Sequence, residues 1–432
     1  MKPVHLLLLG WLGTAVAQTA VPSQPIDLPT VLKLAGAENV EVRLAEEKLR
    51  EAQALEDGTL WLMFPTLSPG VGYRAHAGRT QTVTGPVLDV DKQSLGAGAT
   101  LQLQLEIGES LYRRLAAQQV AVAAGHGLTA QRLRSVHEAT DAYFDLVRAE
   151  LGLKLREQAV QLARDYHGQV SRGVLAGIAA KGDEYRAFAQ LNRTEVSLRQ
   201  AEENRSKEAT RLAQLLRLHI DGRLRPATAQ AALLTFTEKD APLDQLVQKA
   251  LARRPEIAEN EALTEAAGRE VDGARYAPLY PTLGVQAFAG GLGGSTSSAR
   301  RDYASSNDTS VTLSWKIGAG GLFDGSRQET AEARERQTRL RGARTREAVT
   351  RQVVDAQAEI CTLLAQLELL RQGVTASEAG LQLALRRKEF AVGVVLEAVQ
   401  AQQDAVQAKL DYLSTLTAAN KAQYRLRAAL GD

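Results

Sequence analysis

Cysteine is almost absent: Cys361 stands alone in 432 residues. One thiol excludes an intrachain disulfide framework, and no cysteine near the N-terminus is placed to carry a lipid. Proline is scarce at 12 residues, so long stretches are free of the strongest helix breaker. Neither charge sign dominates: 52 Lys and Arg meet 50 Asp and Glu, a net charge of +2. Nothing in that balance points to nucleic acid, and dense charge of mixed sign is the surface of long solvated helices. After the first residues no apolar run approaches the roughly 20 residues of a membrane-spanning helix. Any membrane segment must then be a strand of a closed barrel, because only helices and closed barrels satisfy their backbone in lipid.

Catalytic and metal constellations are missing too. His76, His126, His137 and His167 form no H-E-x-x-H motif and read as surface or packing residues. Cys361, beside Ile360, Leu363 and Leu364, reads as a buried core thiol. Gly318-Ala-Gly320-Gly321 has neither the lysine of a phosphate loop nor full dinucleotide spacing. No catalytic residue, cofactor or metal is expected, and the chain does not read as an enzyme.

What is present begins with an export signal. Lys2, the apolar stretch Leu6 to Leu9 with Trp11 and Leu12, and Ala15-Val16-Ala17 have the three parts of a signal peptide over 1–17. The rest repeats itself. Pro65-Thr66-Leu67 matches Pro281-Thr282-Leu283, and Asn39 stands as far before Pro65 as Pro255 before Pro281. Leu101 to Gly108 matches Val311 to Gly318, and Asp183 to Ala187 matches Glu397 to Ala401. The offsets of 216, 210 and 214 residues are near half the chain. Four matches in one order make the chain a tandem duplication, with repeats over 18–222 and 223–432.

Each half predicts the same elements. A first helix spans about Thr30 to Leu60 and again Leu243 to Ala274, with Pro29 and Pro242 in or beside the first turn. A β-hairpin follows, about 66–108 and 282–318. In the first, Leu95, Ala97, Ala99, Leu101, Leu103, Leu105 and Ile107 alternate with Thr100, Gln102, Gln104 and Glu106. In the second, Val311, Leu313, Trp315 and Ile317 alternate with Thr312, Ser314 and Lys316. Period-2 patterns of this kind are strands. Long helices follow over about Leu111 to Arg172 and Gly325 to Phe390, with breaks at Gly173 to Gly177 and at Gly393, then final helices to Leu218 and Leu430. A helix of some 60 residues is roughly 90 Å long, far beyond what a globular core requires.

The strands have the length that crosses a bilayer. No charge lies between Pro281 and Ala299. Of 3 Trp, 10 Tyr and 7 Phe, half lie between Trp61 and Tyr112 or between Tyr276 and Phe323, as aromatic girdles would. Four strands cannot close a barrel whose smallest forms have about eight, so several copies must share one. Thr100, Gln102, Gln104, Thr312, Ser314 and Lys316 would then line its lumen.

Arg254-Pro255-Glu256-Ile257, Leu279-Tyr280-Pro281, Leu322-Phe323-Asp324-Gly325 and Asn420-Lys421-Ala422 come in the order, and with the duplication, of a known family. The chain is similar to the TolC-type outer-membrane efflux proteins along almost its whole mature length. The resemblance implies a mainly α fold with a small β part. In it a long α-helical barrel in the periplasm is continued by a transmembrane β-barrel shared between three protomers. It implies a homotrimer in the outer membrane that works with a periplasmic adaptor and an inner-membrane pump, in efflux or type I secretion. It also places a gate at the periplasmic tip, on Asp183, Arg186, Lys388, Glu397 and Gln400; the family glycine falls on Ala391 and the family tyrosine on Lys388. A second reading, a soluble periplasmic coiled-coil adaptor or scaffold, would put one helical hairpin between β domains, whereas strands interrupt the helices here twice.

Overall fold

The computed structural model describes residues 24–220, 223–227, 232–236, 241–296, 302–389 and 395–432. The expected signal peptide, Ala391 and Gly393 lie outside them. The first half runs β1 (Gln24–Ile26), α1 (Leu28–Glu38), α2 (Val40–Trp61), β2 (Thr66–Gln81), β3 (Val87–Glu106), α3 (Ile107–Leu175) and α4 (Lys181–Leu215). The second runs β4 (Leu224–Pro226), α5 (Leu243–Arg253), α6 (Pro255–Tyr276), β5 (Thr282–Thr296), β6 (Asp302–Ser314), α7 (Gly325–Glu389) and α8 (Val395–Leu430). The helix, helix, hairpin, long helix, helix order thus occurs twice.

The expected first helix of each half is in fact two. Asn39 adopts an extended backbone, ends α1, and accepts the Glu41 amide on its side chain at 2.8 Å. Its side-chain nitrogen donates to the carbonyl of Leu215 at the end of α4, 3.3 Å away. At the matching point Arg254 is extended, as the residue before a proline prefers, and Pro255 starts α6. Arg254 donates to the carbonyl of Ala428 near the end of α8, 2.9 Å away. Two unlike side chains therefore pin the same break to the same place in each repeat.

At 69 and 65 residues, α3 and α7 are on the order of 100 Å long at 1.5 Å per residue. The four long strands form one antiparallel sheet in the order β2-β3-β5-β6. Each continues into a helix: α2 enters β2, β3 enters α3, α6 enters β5, and β6 leads through a turn to α7. Sheet and helices thus continue into one another as a single stave with β2 and β6 as the edges of the sheet.

Two apolar cores sit at mid-length. Val31, Ala35, Phe144, Leu146, Leu212 and Leu216 pack one, with Ile26 and Leu224 from the short parallel β1–β4 pair. Leu246, Val349, Val353, Ile360, Leu426 and Leu430 pack its counterpart in the second half. Cys361 is exposed, a correction to its reading as a core thiol: Ile360 holds the inward position, and the next residue turns about 100° away.

Candidate functional site: the sheet face and the helical tip

Strand register decides which side chains share a face. Gln102 pairs with Thr66 and with Gln286, and Gln286 with Ser310, giving a row of four polar residues across the sheet. Thr100 falls in a row with Ser68, Phe288 and Asp308; Gln104 in a row with Gly284 and Thr312; Glu106 in a row with Thr282 and Ser314. Thr100, Gln102, Gln104, Thr312 and Ser314 therefore stand on one face. Lys316 does not. β6 ends at Ser314, and the carbonyl of Lys316 accepts the Leu322 amide at 2.9 Å in a turn built on Gly318 and Gly320. Both glycines have positive φ, at 98° and 72°. The alternation persists past the strand, but the chain has already folded away. At the far end of the turn the Asp324 carboxylate accepts the amides of Gly320 and Arg327 and the Ser326 hydroxyl. Ile107, expected in the strand, opens α3 instead.

The opposite face is mainly apolar in register, interrupted only on β6, where Thr309, Asn307 and Ser305 end the Leu101, Ala99 and Ala97 rows. Leu105 aligns with Leu283 and Leu313, Leu103 with Val285 and Val311, Leu101 with Leu67 and Ala287, and Ala97 with Val71. The stretch from Leu95 to Leu105 rises about 34 Å along a strand. At the tilt of barrel strands that is a band about 25 Å tall, the thickness of a barrel's apolar belt. Aromatic residues mark its two ends. Tyr73 and Tyr303 share the Leu95 row at one end. Trp61, Phe64, Tyr280, Trp315 and Phe323 gather, all exposed, at the other. Phe288 lies over the facing glycines Gly98 and Gly290 on the polar face, and Tyr303 over Gly291 on the apolar one. No described helix is long and apolar enough to cross a membrane.

At the other end of the molecule α3, α4 and α8 meet in a small apolar cluster of Tyr166, Val170, Ala187 and Ala398. Burial, with the Asp183 charge nearby, pushes the Tyr166 hydroxyl up to about 12. Asp183 pairs with Arg186 within α4, at 3.2 Å. Glu397 pairs with Arg387 at 3.0 Å, joining the start of α8 to the end of α7. The structure thus gives each tip carboxylate its own cation. Gln400 is exposed one turn beyond Glu397, and Lys388 lies in the last turn of α7. Arg387 escaped the sequence reading, which favoured its neighbour Lys388; ten residues and a helix break separate it from Glu397, so no helical spacing signals the pair. Below the break Gln190 and Gln403 join α4 to α8 at 2.6 Å, and Gln402 donates to the Ala159 carbonyl of α3 at 3.1 Å.

Sequence reasoning also missed the fastening of the inter-repeat segment. Asn420 on α8 donates to the Ala232 carbonyl and accepts the Leu234 amide, both at 2.9 Å. Gln423 accepts the Phe236 amide at 3.0 Å and donates to the Leu234 carbonyl. Two side chains one turn apart thus act as a strand for extended backbone to pair with.

Residues 246–432 match the model of the family described as outer membrane efflux protein. No functionally curated protein matches the sequence. Among solved structures, a membrane protein from Pseudomonas aeruginosa is similar at 21% identity and TM-score 0.80, over 95% of this chain and 94% of that one. The CmeC outer membrane channel of Campylobacter jejuni is similar at 14% identity and TM-score 0.78, over 100% and 94%. The outer membrane protein VceC of Vibrio cholerae is similar at 19% identity and TM-score 0.75, over 94% and 96%. At these identities the likeness is one of fold, and it extends over at least 94% of each protein.

Proposed function

We propose that the chain is a TolC-type outer-membrane efflux channel, as the family match over residues 246–432 and the shared fold support, and that three copies close into one duct. That duct conducts substrates passively from an inner-membrane pump and its periplasmic adaptor to the outside. One observation carries this reading. The sheet has a face that is apolar across β2, β3 and β5 and at Val311 and Leu313 of β6, bounded by aromatic rows, and two unpaired edges. A single copy cannot enter lipid in that form, because each edge would expose a ladder of unsatisfied backbone groups. Twelve strands from three copies leave no edge, and the polar rows then face water. The helices below carry further exposed apolar residues: Leu55 on α2, Tyr185 and Phe188 on α4, Leu340 and Leu369 on α7. These favour side-by-side closure along the whole stave. The tip, with Asp183, Arg186, Lys388, Glu397 and Gln400, serves as the gate.

The test is a matched pair of substitutions. Leu103→Arg should cost about 2–4 kcal/mol near the bilayer midplane and abolish assembly in the outer membrane. Gln102→Arg should be accepted and lower single-channel conductance in planar bilayers. The reverse pattern would mean that the faces are exchanged; equal tolerance, with recovery as a soluble monomer, would sink the channel.

A further inference from the structure

The two edges of the sheet are not alike. On β2 the only charged residues are Arg74 and Arg79, with His76 between them; on β6 they are Asp302 and Asp308. Register sets Arg74 and His76 on the polar face, in rows with Ser94 and Lys92, and Arg79 on the apolar one, beside Asp89. It sets both aspartates on the polar face, Asp302 across from Gly294 and Asp308 across from Phe288. Neither Arg74 nor Asp308 meets an opposite charge across its own ladder. One edge is therefore basic and the other acidic on the same face; within one protomer the Asp308 row, at Thr100, lies six residues along β3 from the Arg74 row, at Ser94.

The rows also fix how a second copy would meet them. Thr66 opens β2 in the row of Gln286, whereas β5 opens four residues earlier at Thr282. Pro65 and Pro281 are equivalent in the repeat, so register advances by four residues over two strands. Around a threefold barrel the next β2 lies four strands from the first. Strands about 4.8 Å apart, tilted about 35–45° with a rise of about 3.4 Å, advance about four to six residues over that distance. Doubling the observed advance gives about eight. Only even advances keep the polar face on one side. Asp308 shares its row with Ser68, so it meets Gly72, Arg74 or His76 of the neighbouring β2. In every case Arg74 is directly opposite or one diagonal step away, within reach of a long side chain.

Resting on the closed three-copy barrel proposed above, we infer that Arg74 of one protomer and Asp308 of the next form an ion pair on the luminal side of each seam, and that this pair selects the edge and register of assembly. Joining β6 to β2 sets opposite charges face to face. Joining β2 to β2 or β6 to β6 sets like charges together, which disfavours open or misregistered pairing. The partner of this surface is a second copy of the same chain.

The test uses the full-length protein with Cys361→Ser. Arg74→Cys combined with Asp308→Cys, treated with a bismaleimide of about 8 Å reach, which spans opposite and diagonal pairs, should give covalent dimers and trimers. Arg74→Cys with Asp302→Cys should remain monomeric on the same gel. In parallel, Arg74→Asp and Asp308→Arg should each lower the temperature at which the oligomer dissociates, and the two together should restore it. Cross-linking through Asp302→Cys in place of Asp308→Cys, or no recovery in the double exchange, overturns the seam. A trimeric mass in detergent without the Arg74–Asp308 cross-link also overturns it and leaves the channel standing. A monomeric mass for the unsubstituted protein overturns both.

Discussion

The middle of the stave and its tip are built from the same residue types, yet they are held differently. At the middle, the Asp145 carboxylate is nearly enclosed and takes Lys421 at 2.5 Å, Arg148 at 3.0 Å and Arg211 at 3.5 Å. Glu150, 5% exposed, takes Arg205 at 3.2 Å and Arg225 at 3.6 Å. These pairs join α3 to α4, α8 and the segment after α4. At the tip, Asp183–Arg186 and Glu397–Arg387 are single pairs whose cations are more than half exposed, at 65% and 53%. Breaking an enclosed pair costs about 3–5 kcal/mol, because a charge is left buried without a partner; an open pair contributes about 0–1 kcal/mol. Motion is thus cheap at the tip and costly at the middle, which supports the proposed placing of the gate at the tip.

The largest effect expected from that contrast is at Asp145. Asp145→Ala should lower folding stability by about 3–5 kcal/mol, read from denaturant unfolding of the detergent-solubilised protein. It strands Lys421, whose side chain is only 19% exposed. A loss no greater than that of a tip substitution would erase the distinction between the two regions. Next is Asn420→Ala, which leaves the half-buried Leu234 amide and the Ala232 carbonyl without their side-chain partner. It should cost about 1–3 kcal/mol and open that segment to proteolysis first; uniform protection would show that Gln423 suffices alone.

A smaller, pH-dependent term belongs to His137, also near the middle. Burial holds its pKa below 6.5, against the pull of Asp141 and Glu138 and together with the charges of Arg425 and Lys421. Its imidazole is therefore neutral in the folded protein where the unfolded chain would already take up a proton. The stability it contributes is present above pH 6.5 and declines as pH falls from there through the depressed folded value. His137→Gln should flatten stability against pH over that window, measured by thermal unfolding at a series of pH values. A profile unchanged by the substitution would assign the pH dependence to other groups.

How much of this was legible in the sequence follows from how local each signal is. The apolar rows were readable because period 2 is a property of one strand, and Leu101, Leu103 and Leu105 display it without help. The outer part of β3, Val87 to Ser94, was not; it carries Asp89, Asp91 and Lys92, and a strand that leaves the apolar band has no reason to alternate. Lys316 shows the converse, an alternating pattern that outlasts its strand by three residues. The duplication was visible, and with it the equivalence of Asn39 and Pro255, but not that both mark a helix break, since Asn39 acts through Leu215, far off in sequence. Asn420 and Gln423 were unreadable as a clasp for the same reason: their partners lie almost 190 residues away. At the tip the carboxylates were named from resemblance, whereas Arg387 meets Glu397 only through the packing of α7 against α8.

The smallest change in stability, and the most direct probe of the tip, is at Glu397. Glu397→Gln keeps the size of the side chain and removes a charge whose pair with Arg387 is open to solvent, so unfolding should shift by less than about 1 kcal/mol. If three copies bring this residue to a narrow mouth, the same substitution takes away a ring of three carboxylates that draws cations. Cation selectivity in planar-bilayer recordings should then fall while the fold is unchanged. Arg387→Ala makes the opposite change: it frees Glu397, should raise cation selectivity, and loosens the link between α7 and α8, so the open fraction should rise. Parallel changes in both variants would mean that the ion pair holds the tip shut and no carboxylate ring lines the mouth. No change in either would make Asp183–Arg186, on the α4 side, the remaining contact through which the tip is held.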